Sequence, residues 1–291
     1  TVTGQLLFSW SDTPVRPDLA EEWDGRELAG HAAKLWAQHA TETWDLFGQY
    51  EDFSDDFRAD NGFVPQVGYR MLYVESGRTW RPVDKPVSRL RLFAIADRAE
   101  TQSGELLSQE LVPGLGLDAT WNSFVRFEFA FDEIVDQGVT YERFRFRPRF
   151  EIRPGKILQQ VTLQAVYGDD VDFANHRPGD GWQATVTADL QPTDHLALGL
   201  SAARRTLDVD AATAGSALSG TLFTADLARL RVVYTFNARS WLRLIGEWAG
   251  TERDPALYTF DVAPSSADFA GSAVFAYKLN WQTVFFLGVG D

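Results

Sequence analysis

The amino-acid sequence predicts an all-β protein, an antiparallel transmembrane β-barrel of about 15–16 strands with short periplasmic turns and long outer loops. Apolar and polar residues alternate in segment after segment, which is the period of a strand with one apolar face. These segments run for about 10–14 residues, whereas soluble sheets use about 5–6. Tryptophans stand near the segment ends, where the aromatic girdles of barrels lie: Trp10, Trp44, Trp121, Trp182, Trp241 and Trp281.

The clearest alternation covers residues 141–153. One parity carries Phe144, Phe146, Pro148, Phe150 and Ile152, and the other carries Arg143, Arg145, Arg147, Arg149, Glu151 and Arg153. A helix would spread both sets around its circumference, so the segment is predicted to be a strand. Its charged face must meet water or opposite charges, because buried unpaired guanidinium groups are very costly.

Seven strands are predicted before that segment. They cover about 1–11, 31–39, 43–51, 65–75, 87–98, 104–118 and 119–132. A short helix is an alternative for residues 31–39, and Pro113 with Gly114 is expected to break 104–118. Polar, acidic loops are expected at 12–30 and 52–64.

Seven more strands are predicted after it. They cover 157–168, 182–190, a segment beginning at His195, 221–236, 241–250, 268–279 and 281–290. Tight turns with Pro, Gly, Asn or Asp alternate with long loops, of which 169–180 is the acidic one.

Fifteen hairpin-connected strands would leave the last one running outward, whereas bacterial barrels have an even number of strands. We therefore expect residues 1–291 to form a single β-barrel domain that lacks a closing C-terminal strand, and that also lacks an N-terminal module.

Composition limits the classes of function. The net charge of −14 argues against a nucleic-acid partner, which requires a basic face. The absence of cysteine excludes disulfides and thiolate metal sites, and no cofactor is expected. No apolar run reaches the length of a transmembrane helix.

Two segments carry a resemblance. They are the run from Phe57 to Arg70, FRADNGFVPQVGYR, and the run from Tyr277 to Gly288, YKLNWQTVFFLG. Together they resemble the C-terminal outer-membrane barrel domain of an uncharacterised bacterial envelope family that carries an N-terminal family-9 carbohydrate-binding-like module. The resemblance implies an envelope barrel and provides no catalytic residues.

The arginine-rich parity is the main candidate site. If the opposite parity faces lipid, a basic strip lines the lumen: Arg89, Arg91, Arg126, Arg143, Arg145, Arg147, Arg149 and Arg153. The strip would attract anionic solutes, or carboxylates of neighbouring strands would neutralise it: Glu128, Asp132, Asp189, Asp226 and Glu247. The second reading is favoured.

Other chemistry is weakly supported. Asp169, Asp170 and Asp172, and the cluster Asp52, Asp55, Asp56 and Asp60, are candidate calcium ligands without the full spacing of a calcium loop. The histidines His31, His39, His176 and His195 form no recognisable catalytic arrangement, although Ser201 follows His195 on the same parity.

The expected function is therefore a non-enzymatic outer-membrane barrel of a Gram-negative bacterium, a channel or the translocation or anchoring barrel of a larger envelope protein. A plugged or partner-closed structural subunit is the alternative, and an outer-membrane hydrolase is the second alternative. Expected partners are the lipid bilayer and lipopolysaccharide, with other envelope subunits or a periplasmic carbohydrate-binding module as further candidates.

Overall fold

The computed structural model describes residues 1–19, 23–59, 64–210 and 218–290. They form the fifteen strands β1 Val2–Asp12, β2 Glu27–Ala40, β3 Trp44–Phe53, β4 Tyr69–Trp80, β5 Val87–Thr101, β6 Leu106–Ala119, β7 Ser123–Asp136, β8 Val139–Ile152, β9 Leu158–Asp172, β10 Arg177–Thr193, β11 Leu196–Val209, β12 Gly220–Asn237, β13 Ser240–Arg253, β14 Ser265–Lys278 and β15 Val284–Gly290. The prediction of an all-β, antiparallel fold is confirmed.

The fifteen strands follow one another in a single sheet in sequence order. Short connections explain this order, because a hairpin places consecutive antiparallel strands side by side. Two short 3₁₀ turns interrupt connections, at Pro17–Leu19 and Pro255–Leu257. The described part of the chain holds no helix with the length and hydropathy needed to cross a bilayer.

Residues 31–39 belong to β2, which confirms the predicted strand and not the alternative of a short helix. Two other details of the strand prediction are wrong. Strand β6 continues through Pro113 and Gly114 without a break. The long loop expected at 169–180 is instead a hairpin, because β9 and β10 extend to Asp172 and from Arg177. The polar composition of these strand ends resembled a loop, although backbone pairing continues through them.

The chain divides into two compact units. Unit 1 comprises Thr1–Trp80, Arg91–Gly114 and Ala130–Glu142, and unit 2 comprises Arg81–Leu90, Leu115–Phe129 and Arg143–Asp291.

Few large side chains are buried. The main apolar cluster of unit 2 lies at one end of its strands and consists of Leu207, Val209, Leu222 and Leu257. In contrast, many large apolar side chains along the strands are exposed. Soluble domains bury most such side chains in a core.

Candidate functional site

The strands of unit 2 have two chemically different faces. Hydrogen-bonded register places Arg145 opposite Gly168 and Arg149 opposite Gln164, so the odd residues of β8 and the even residues of β9 share one face. Register continues this face through the odd residues of β10 to β13. We call it the arginine face, and we call the opposite side the apolar face.

The apolar face exposes large hydrophobic side chains on every strand from β7 to β15. They are Phe129, Phe144, Phe150, Leu163, Tyr167, Trp182, Val186, Leu200, Leu230, Tyr234, Leu244, Trp248, Phe269, Tyr277, Phe285 and Leu287. Tyr167 and Phe269 are 67% and 70% exposed. Because these side chains lie side by side in register, they form a continuous surface rather than isolated apolar contacts with water.

Aromatic side chains border this surface at both ends. Phe269 and Tyr277 mark the two borders on β14, and they are eight residue steps apart, which is about 26 Å along the strand axis. At the border that Tyr277 marks, the Tyr234 ring contacts the Phe236 ring, with ring centroids 4.9 Å apart. An apolar band about 25 Å tall between two aromatic girdles is typical of the lipid-facing side of an outer-membrane barrel.

Beyond the border that Tyr167 and Trp182 form, the apolar face is acidic. The next residue along β9 on that face is Asp169, and register places it beside Asp180 of β10, which in turn lies beside Asp208 of β11. Between the two aromatic borders, the apolar face of β8, β9, β10, β13 and β14 carries no charged residue. On β11 and β12 it carries one ion pair, Arg204 with Asp226, and Arg204 lies opposite Ala184 of β10. On the arginine face, charged residues recur along β8, β12 and β13.

Two clefts indent the arginine face. One of about 430 Å³ is lined by Arg126, Arg147 and Arg149 together with Glu128 and Gln164. A second, of about 220 Å³, is lined by side chains that include Arg145, Arg205, Asp170 and Gln183. Guanidinium groups therefore recur along β8 beside amides of β9 and β10, a lining that suits the binding of anions and hydroxyl groups.

Several arginines of the predicted basic strip are ion-paired. Arg126 donates to Glu128 at 2.5 Å, and Glu151 accepts from both Arg149 at 3.2 Å and Arg153 at 2.6 Å. Arg89 donates to Asp118 at 2.5 Å. Arg143, Arg145 and Arg147 lie on the same face and also have interaction partners. The pairing involves neighbours along the same strand as well as across strands.

The predicted acidic partners have different locations. Glu128 contacts Arg126, and Glu247 lies 3.8 Å from Arg229 on the arginine face. Asp189 lies on that face opposite Gly199. Asp132, in unit 1, is buried.

The placement of Asp226 in the lumen-facing set is wrong. Asp226 has the parity of Leu230 and therefore lies on the apolar face, where it accepts from Arg204 at 2.7 Å. The partners that sequence reasoning missed, Asp118 and Glu151, could have been found by pairing each arginine with acids two residues away or on the adjacent strand.

Two arginines reach across an intervening strand because that strand carries glycine. In unit 2, Arg205 of β11 contacts Asp170 of β9 at 2.9 Å, and Gly181 of β10 lies beneath the contact. A methyl group on Gly181 would lie 3.4 Å from the Asp170 carboxylate.

Unit 1 repeats this arrangement with Arg91 of β5, Gly77 of β4 and Asp45 of β3. Arg91 also donates to Glu75 at 2.9 Å. A glycine beneath each guanidinium therefore allows two residues on non-adjacent strands to meet.

The candidate metal ligands do not converge. Asp169 lies on the apolar face, where its carboxylate accepts from the Phe144 amide at 2.6 Å. Asp170 and Asp172 lie on the arginine face and contact Arg205 and Arg177. Within the described residues, no group of three His, Asp or Glu side chains is arranged to hold a metal ion. Asp60, from the other acidic cluster, lies outside the described residues.

The connection between β13 and β14, residues 254–264, is fixed to the arginine-face side of unit 2. Arg177 is buried and donates both to Asp172, at 2.8 Å, and to the main-chain oxygen of Leu257. Asn175 donates to the same carboxylate at 2.7 Å and accepts from the Thr259 amide and hydroxyl.

Apolar packing completes this attachment. The Leu257 side chain packs with Leu207, Val209 and Leu222, and Tyr258 packs against the same cluster. Burial raises the pKa of the Tyr258 phenol, since the charged form is poorly solvated there. The segment therefore reaches from β13 across the ends of β12, β11 and β10 to the β9–β10 hairpin.

A loop of unit 1 is attached in a similar way. The Arg58 amide donates to the Ser9 hydroxyl of β1 at 3.0 Å, and the Ser54 amide donates to the His31 oxygen at 3.0 Å. Residues Asp56 and Phe57 cross directly over Gly30 of β2. The loop borders a cleft of about 910 Å³ whose lining includes Trp23.

His195 and Ser201, which share a parity in the sequence, have different neighbours in the structure. Nδ1 of His195 lies 2.6 Å from the main-chain oxygen of Thr235. Ser201 lies opposite Thr187 of β10 and Arg229 of β12 in the strand register.

Fold and faces together define an all-β protein built on one antiparallel sheet, with an exposed apolar surface in unit 2 and an arginine-rich surface behind it. Comparisons with protein families, with characterised proteins and with solved structures find no match to the chain. Its function therefore has to be argued from these surfaces.

Proposed function

We propose that this chain is a transmembrane β-barrel of a Gram-negative outer membrane, and that it acts as a channel, or as the translocation or anchoring barrel of a larger envelope protein, with an arginine-lined lumen. Its immediate partners are the lipid bilayer and lipopolysaccharide. The resemblance to the envelope family supports attachment to further envelope subunits or to a periplasmic carbohydrate-binding module.

One observation carries the proposal: the aromatic-bordered band of the apolar face, whose only charged groups are the paired Arg204 and Asp226 among the described residues of β8 to β14, lies directly behind the arginine face. A soluble sheet would need a second layer of structure over that band, whereas a bilayer covers it without one. The band measures about 26 Å along the strand on β14, which for strands tilted by about 40° is a height of about 20 Å, somewhat less than the apolar band about 25 Å tall of outer-membrane barrels.

The arginine face supports a preference for anionic solutes. Arg145 and Arg147 lie on successive positions of one face of β8 and line the two clefts. Charged pore linings set ion selectivity, since the field of fixed guanidinium groups concentrates anions. Neighbouring carboxylates reduce that field but also hold the guanidinium groups in place.

Reversal potentials in planar bilayers test this preference. We expect the double variant Arg145→Gln with Arg147→Gln to lower the ratio of anion to cation permeability about fivefold, because the two lost charges, screened by salt and neighbouring carboxylates, together contribute about 1 kcal/mol.

Arg204→Gln is the matched control, because Arg204 lies on the apolar face, and we expect it to leave the ratio unchanged. An unaltered ratio in the double variant would refute an arginine-set selectivity.

A structural barrel that conducts nothing is the second candidate. The observations that favour it are the ion pairs of the arginine face and the two loops fixed over strand ends. Single-channel recording separates the two candidates, since a closed barrel inserts into the bilayer without producing current steps.

A further inference from the structure

We infer that the connection between β13 and β14, residues 254–264, is a constriction that determines which solutes pass along the arginine face. This inference rests on the proposed channel. It assigns to this loop the role of a size-selecting element, with small inorganic ions as the class of solute that it admits.

Parity shows on which side of the strands the loop lies. Leu207 and Arg205 are two residues apart on β11 and therefore point to the same face. Leu257 packs on Leu207, so the loop lies on the arginine-face side and not on the apolar side. The Arg205–Asp170 ion pair lies on the same face, two residues from Leu207 towards the centre of β11.

Burial shows that the loop is held in place. The Arg177 and Asp172 side chains retain only 8% and 3% exposure, which is unusual for charged groups at a strand end. Arg177 donates one N–H to the Leu257 main-chain oxygen, so this buried donor has its partner only while the loop is in place.

The charges that surround the loop have both signs. Arg205 and Arg145 line the cleft of about 220 Å³ close to the loop, and Asp169 and Asp170 line it as well. The loop itself carries Asp254 and Asp261 and no basic residue. These charges define no preferred sign, so the loop selects solutes by size, because it narrows the passage along the arginine face.

Shortening the loop tests the inference. We would replace residues 255–262 with a two-residue Asn-Gly turn, which suits a hairpin. We expect the single-channel conductance in chloride to rise roughly twofold, and gluconate to become a better charge carrier relative to chloride.

A labelling measurement keeps the test independent of current recording. In proteoliposomes, Gln183→Cys lies in the cleft near the loop, and the cysteine-free chain makes it the only thiol. We expect a bulky maleimide to react with it severalfold faster in the shortened chain. Gln191→Cys, at the opposite end of β10, is the control whose rate stays the same.

The outcomes separate this inference from the proposed function. Equal, non-zero conductance and equal labelling in both chains would overturn the constriction while leaving the channel intact. Inserted protein that never conducts, in either chain, would overturn the channel, and the constriction with it. Current that appears only in the shortened chain would support the constriction in its strictest form, a closed one.

Discussion

Replacing Arg177 with Met is expected to lower the free energy of unfolding by about 3–5 kcal/mol, measured by denaturant titration in detergent micelles. The substitution removes one member of a buried ion pair and leaves the Asp172 carboxylate with 3% exposure. It also removes the donor to the Leu257 main-chain oxygen. Burying an uncompensated charge is among the few single changes with so large an effect.

Arg204→Met is the matched control for this prediction. Arg204 is also paired with an aspartate, at 2.7 Å, but its side chain is 55% exposed. Exposed pairs contribute about 0–1 kcal/mol, so the control should lose less than about 1 kcal/mol. Equal losses in the two variants would show that Arg177 does not anchor a buried network.

Gly30→Ala is expected to cost about 3 kcal/mol and to release the loop that follows β3. A Cβ on residue 30 would lie 2.3 Å from the main-chain nitrogen of Phe57. Backbone atoms cannot rotate away as a side chain can, so the loop must move. Hydrogen exchange provides the local measurement, since the Arg58 amide should lose the protection that Ser9 gives it.

Gly48→Ala is the control within the same unit. The nearest atom to a Cβ there is a main-chain oxygen of Tyr73, at 4.0 Å. Because Gly weakens a strand interior by about 0.5–1 kcal/mol relative to Ala, this change should be neutral or slightly stabilising. If the Arg58 amide exchanged as slowly in the Gly30→Ala variant as in the unaltered chain, the close contact between the loop and Gly30 would be contradicted.

The sequence allowed the all-β fold to be predicted because alternation is a local signal. The register of β8 against β9 confirms that Phe146 and Phe150 share one side and Arg145 and Arg149 the other. The extension of β9 and β10 through an acidic, glycine-containing segment was missed, because polar strand ends have the composition of a loop.

The candidate site was less predictable. Alternation assigns a residue to a face but does not identify its partner, so the Arg91–Asp45 contact over Gly77 could not be foreseen from spacing. The Arg177 anchor depends on a contact with Leu257, eighty residues away in sequence. Contacts of this kind depend on how loops fold back, and no periodic pattern encodes that.

Spin labels on two adjacent residues of β9 test the central claim, that lipid covers the apolar face. The chain has no cysteine, so Leu163→Cys and Gln164→Cys each carry a single nitroxide, and the two positions point to opposite faces. In liposomes, the label at 163 should collide readily with oxygen and hardly with a water-soluble nickel chelate, and the label at 164 should show the reverse. Equal access of the nickel chelate to both positions would contradict the membrane assignment.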